Sequence, residues 1–85
     1  ISMGKQFAHI GRQLRVLRIE AGFSSYVDFA WMHDMNKTQY GRMETGSNFT
    51  LKSLQRVLDV HQLSFQDFFE LVATEEKLTS VQTTP

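Results

Sequence analysis

Residues Phe29 to Gly46, FAWMHDMNKTQYGRMETG, decide the fold, because they read as two short helices joined by a tight turn. In the first, Tyr26, Phe29, Ala30 and His33 recur at spacings of three, one and three and share one inward face. Ala30 is small enough for a second helix to cross closely over it. His33-Asp34-Met35 then breaks the pattern where the chain must reverse, and an aspartate tolerates positive φ there better than most residues. Asn36 follows as a good N-cap. In the second helix, Lys37 to about Thr45, Tyr40 and Met43 stand three apart and face the core.

That arrangement leaves Lys37, Thr38, Gln39, Gly41 and Arg42 outside. A cation, a hydroxyl, an amide and a guanidinium suit phosphates or base edges, and a glycine permits close approach. No Asp or Glu falls among them. A merely solvated polar face has the same composition, so the residues alone leave both readings open.

Outward from this stretch the chain carries three more helical patterns. From Lys5 to Ala21, Phe7, Ile10, Leu14, Leu17 and Ala21 recur at three and four, and Gly22 ends the run as a C-cap. Arg12, Arg15 and Arg18 recur every three residues on another part of that surface, as a phosphate-facing edge or as solvated arginines. Ser25, with Asp28 three residues later, makes a capping-box pattern at the start of the second helix. Thr50 caps a fourth helix carrying Leu51, Leu54, Val57 and Leu58, and Ser64 opens a fifth with Phe65, Phe68, Phe69 and Val72, most of them core. Ser47 and Asn48 are small polar groups beside the second helix of the motif, placed to meet a phosphate. The expectation is an all-α fold of five helices.

Eighty-five residues make one small domain, and a hydrophobic fraction of 41% with seven Phe is enough to build its core. Residues 5–73 form the helical domain, residues 1–4 read as a cloning remnant or flexible start, and residues 74–85 as a flexible polar tail. With no cysteine there is neither a disulfide nor a thiolate metal site, and the three histidines, His9, His33 and His61, lack zinc-motif spacing. No stretch approaches the roughly 18 apolar residues of a membrane span. The setting these features imply is cytoplasmic, with no metal and no cofactor.

Net charge is zero, which is unusual for a protein whose partner is a polyanion. The distribution is uneven, however. Residues 1–42 hold six of the cations and three of the acids, and residues 43–85 the reverse, so the second motif helix closes the basic half. Val27 and Trp31 stand four apart on the outward side of the first motif helix, either as a partner surface or with Trp31 folded over a neighbour.

These motifs resemble the lambda repressor-like, Xre-type (Cro-like) helix-turn-helix family. Phe29, Ala30, Met35, Met43, Glu44 and Gly46 occupy the places of its apolar-Ala and apolar-Glu-x-Gly signatures, IGRQLRVLRIEAG matches its opening helix, and LKSLQRVLDVHQLSFQDFF its fourth and fifth. The match covers about Gln6 to Val72. Asp34 replaces the family's turn glycine, His33 takes an aliphatic slot, GSNFT lacks a proline, and Ser24-Ser25 lengthens the entry to the second helix by one residue.

The resemblance implies that Tyr26, Asn36, Lys37, Thr38 and Arg42 fall where relatives touch DNA, with Gln39 on the same face. It also implies that Arg18 pairs with Glu44 to brace the recognition helix. The function it implies is a sequence-specific transcriptional regulator that binds double-stranded DNA, with the helix over residues 37–45 in the major groove and a possible homodimer on two half-sites through Phe65, Phe69 and Leu71. The alternative is a protein-interaction module, antitoxin-like or an adaptor, on the same fold, which the neutral net charge favours. No nucleophile, phosphate loop or paired carboxylates outside Glu75-Glu76 marks an enzyme.

Overall fold

The periodic stretches become five helices in a computed structural model that describes residues 3–47 and 49–83, with side chains over 7–47 and 49–75. They are α1 (Met3–Glu20), α2 (Tyr26–Met32), α3 (Lys37–Glu44), α4 (Leu51–Val60) and α5 (Phe65–Thr83), with no strand among the described residues. Four of the starts are fixed by side-chain caps. Ser25 accepts from the amides of Val27 and Asp28, Asn36 from Gln39, Thr50 from Ser53 and Ser64 from Asp67. Each cap satisfies a donor that a first helical turn leaves open, worth about 1 kcal/mol.

The first four helices also end alike. After each, one residue enters the left-handed region and the next amide reaches back five residues: Phe23 to the Arg18 carbonyl, Met35 to Ala30, Ser47 to Arg42 and Leu63 to Leu58. The left-handed residues are Gly22 (φ 97°), Asp34 (φ 57°), Gly46 (φ 85°) and Gln62 (φ 57°). Asp34 and Gln62 thus hold a conformation that favours glycine, and each costs stability.

Helix α3 packs against both α1 and α2, and α1 against α5. At the core, Leu14, Phe29, Ala30, Tyr40, Met43, Leu54, Val57, Leu58, Phe68 and Val72 are buried. Phe29 is the hub. Its ring meets those of Phe23, His33, Tyr40 and His61 at centroid distances of 5.4, 4.7, 4.9 and 5.4 Å, the last a parallel stack. Gly11 allows α1 to cross the end of α3. A Cβ there would run into the Glu44 carbonyl oxygen and stand 2.7 Å from that of Met43, so no larger residue fits without separating the helices.

Several apolar positions differ from the periodic reading. Ala21 is exposed because α1 stops at Glu20, and Leu51 is 69% exposed because it sits in the first turn of α4, before that helix reaches the core. Phe65 and Phe69 are over a third exposed, stacked on each other at 6.4 Å rather than buried. Tyr26 leaves the inward face and is 43% exposed, since a helix of seven residues has too few turns to bury its first.

The polar segment after Val72 continues α5 to Thr83, and the other end of the chain is helical from Met3. Ala73, Glu75, Glu76, Lys77 and Leu78 are good helix formers, so propensity extends the helix where apolar periodicity stops. Glu75 ties this extension to α1, accepting from Arg12 at 2.8 Å with His9 3.4 Å away. No helix among the described residues is long and apolar enough to cross a membrane.

Candidate nucleic-acid interface

The outward face of α3 is built by its inward one. Tyr40 and Met43 are buried at 1% and 3% exposure, which turns Lys37, Thr38, Gln39 and Arg42 to solvent. The Asn36 side chain accepts from the Gln39 amide at 2.9 Å, so one lone pair of its oxygen is committed to the cap and its NH2 group is left to donate to a ligand. Behind the turn, Arg56 of α4 donates to the Asp34 carbonyl at 2.6 Å and pins the entry to α3 from the far side. Nothing local in the sequence announces that contact, since the two residues are 22 apart.

A second anchor holds the other end of α3. Arg18 donates from Nε to Glu44 Oε2 at 2.7 Å, from Nη2 to Glu44 Oε1 at 3.1 Å and from Nη1 to the Phe23 carbonyl at 2.9 Å. Their side chains are only 5% and 8% exposed, so the two charges are withdrawn from water and cancel each other. Glu44 holds the Arg18 guanidinium even more firmly protonated than usual. Burial, and then the adjacent Glu44 carboxylate, push the Tyr40 hydroxyl far above its ordinary range. The last carboxylate of α3 therefore faces inward, and its exposed side carries none.

Gly41 plays a different part from the one its position on the outer face indicates. A Cβ there would lie 2.8 Å from Cε1 of Tyr26, so the glycine makes room for that ring rather than for a ligand. Tyr26 consequently packs its ring edge against α3 at Gly41 and borders two open depressions. One, of about 320 Å³, is lined by Thr38, Gly41, Arg42, Glu44 and Thr45, and the other, of about 470 Å³, by Arg15, Arg18, Ser24, Ser25, Glu44 and Thr45.

Ser47 is exposed just beyond α3, and Asn48 lies outside the described residues. Tyr26, Asn36, Lys37, Thr38, Gln39 and Arg42 all lie on α3 or its immediate border. The first and second arginines of the α1 run separate in role: Arg12 is engaged by Glu75, while Arg15 is exposed with no ion pair among the described residues. Chemically the surface offers donors in three forms, ammonium, amide and guanidinium, together with hydroxyls, on a rigid support. Such a set binds anionic oxygens and purine or pyrimidine edges.

Two histidines, His33 and His61, pack on the Phe29 ring. His61 stacks on Phe29, and burial first, then the neighbouring His33, lower its affinity for a proton. No group of three His, Asp or Glu among the described residues is arranged to hold a metal. Neither a family model, nor a curated protein, nor a solved structure matches the chain.

Proposed function

We propose that this chain is a sequence-specific DNA-binding transcriptional regulator of the lambda repressor-like, Xre type, which inserts α3 into the major groove. The observation that carries the reading is the exposed, acid-free face of Lys37, Thr38, Gln39 and Arg42 on a helix fixed at both ends. A groove reader needs that rigidity, because a bidentate contact to a base edge tolerates little error in angle. The N-terminal turn of α3 enters deepest, so Lys37, Thr38 and Gln39 include the base readers, while Tyr26 and Ser47 border the groove at the backbone. Pairing through Phe65, Phe69 and Leu71 of α5 would present two such helices to two half-sites.

Selection of bound duplexes from a random DNA library tests the reading. An enriched motif, bound with an affinity that falls steeply as salt rises, is the expected result, because displaced phosphate counterions make salt the competitor. A protein-interaction module is the second reading, and one observation favours it: Trp31 is 81% exposed on α2 beside Met32 at 59%, a large apolar surface on a neutral chain. Absence of any enriched sequence and of any salt slope would move the assignment there.

A further inference from the structure

The larger depression beside Tyr26 has the chemistry of a phosphate seat. Its walls come from three elements, with Arg15 from α1, Ser24 and Ser25 from the loop into α2, and Thr45 from the end of α3. Arg18 and Glu44 also line it, but they neutralise each other through two hydrogen bonds, so Glu44 offers no uncompensated negative charge. The net charge of the depression is therefore that of Arg15, which is exposed and has no ion pair among the described residues. The Thr45 hydroxyl already donates to the Arg42 carbonyl at 2.9 Å, so the donors around the hollow are Arg15 and the hydroxyls of Ser24 and Ser25. One guanidinium and two hydroxyls match a phosphate diester better than an amine or an apolar group.

We infer that this depression seats a backbone phosphate of the DNA held by α3, with Arg15 as its cation and Tyr26 as the wall between it and the Arg42 side. The inference rests on the DNA reading and extends it to a residue of α1 that its spacing alone left open between a phosphate-facing edge and a solvated arginine. Arg42 and Arg15 then stand on either side of one ring, and the strand passes over Tyr26 from one to the other. The structure also separates Arg15 from Arg12, its neighbour in the same run, whose guanidinium is held by Glu75 2.8 Å away. A general basic edge on α1 would use both residues alike, and a built seat uses only one.

Affinity for the selected duplex and for an unrelated duplex, measured across salt concentrations, tests the seat in Arg15→Gln, Arg15→Lys and Arg12→Gln. Arg15 is exposed and the Arg12 side chain is 55% exposed in its pair with Glu75, so thermal melts of all three should stay near the parent and exclude misfolding as a cause. Arg15→Gln should weaken both duplexes by the same factor and lower the slope of log affinity against log salt by about one. Arg15→Lys should restore the slope, and Arg12→Gln should leave it unchanged. A parent slope that Arg15→Gln leaves intact overturns the seat alone, as does an equal loss in Arg12→Gln or a loss confined to one duplex. A parent chain with no salt slope overturns the DNA reading and the seat together.

Discussion

Replacing Glu44 by Gln removes one charge from the buried pair that joins α3 to α1, while keeping shape and one acceptor oxygen. Glu44 accepts two hydrogen bonds from Arg18, at 2.7 and 3.1 Å, and the side chains are 5% and 8% exposed, so solvent does little to replace what is lost. A hydrogen bond to a charged group contributes roughly 1.5–3 kcal/mol, and breaking a buried pair from one side costs roughly 3–5. Since Gln retains one acceptor, a loss of about 2–3 kcal/mol is expected. For a domain of this size that lowers Tm by about 10–20 °C, measured by thermal melting at neutral pH. The double replacement Arg18→Met with Glu44→Leu should recover most of the loss, because no unpaired charge is left inside. If Glu44→Gln melts within about 3 °C of the parent while binding DNA more tightly, the carboxylate faces the duplex and the brace is refuted.

Asp34→Gly should raise stability by up to about 1 kcal/mol, seen as a higher melting temperature, since Asp34 sits at φ 57° while its carbonyl contact with Arg56 is made by backbone. Stability should also depend on pH through His61. Its proton affinity is lower folded than unfolded, so the folded state is fully favoured above the unfolded value near pH 6.5 and loses stability as pH falls from there through the folded value. Chemical denaturation from pH 7 to pH 5 should record that decline, and His61→Gln should flatten it.

What the sequence reveals here is set by how far its causes reach along the chain. The caps Ser25, Asn36, Thr50 and Ser64 act within three residues, so their chemistry is legible from composition and order, as is the inward pairing of Tyr40 with Met43. Asp34 at positive φ is legible for the same reason. Gln62 in the same role is not, because glutamine carries no turn signature. Periodicity marks a helical face but not where along a helix the core ends, and so it overcounts Leu51, Phe65 and Phe69. Contacts between distant residues are invisible to it: Arg56 on the Asp34 carbonyl, Arg12 on Glu75, and the Tyr26 ring over Gly41 exist only once helices are docked. The outer face of α3 was readable as a set of residues. The two hollows beside it were not, since they belong to three helices at once.

The central claim is that α3 reads base edges, and the most direct measurement is the affinity of Thr38→Ala, Gln39→Ala and Arg42→Ala for the selected duplex and for each single-base variant of it, at two salt concentrations. At least one of Thr38→Ala and Gln39→Ala should relax preference at a single base pair, by roughly 1–3 kcal/mol of discrimination, with its salt slope unchanged. Arg42→Ala should either relax one position in the same way or weaken all duplexes alike with a slope lower by about one. Parent affinity and parent preference in all three variants would contradict the account, leaving the face of α3 as solvated surface and the exposed Trp31 side as the functional one.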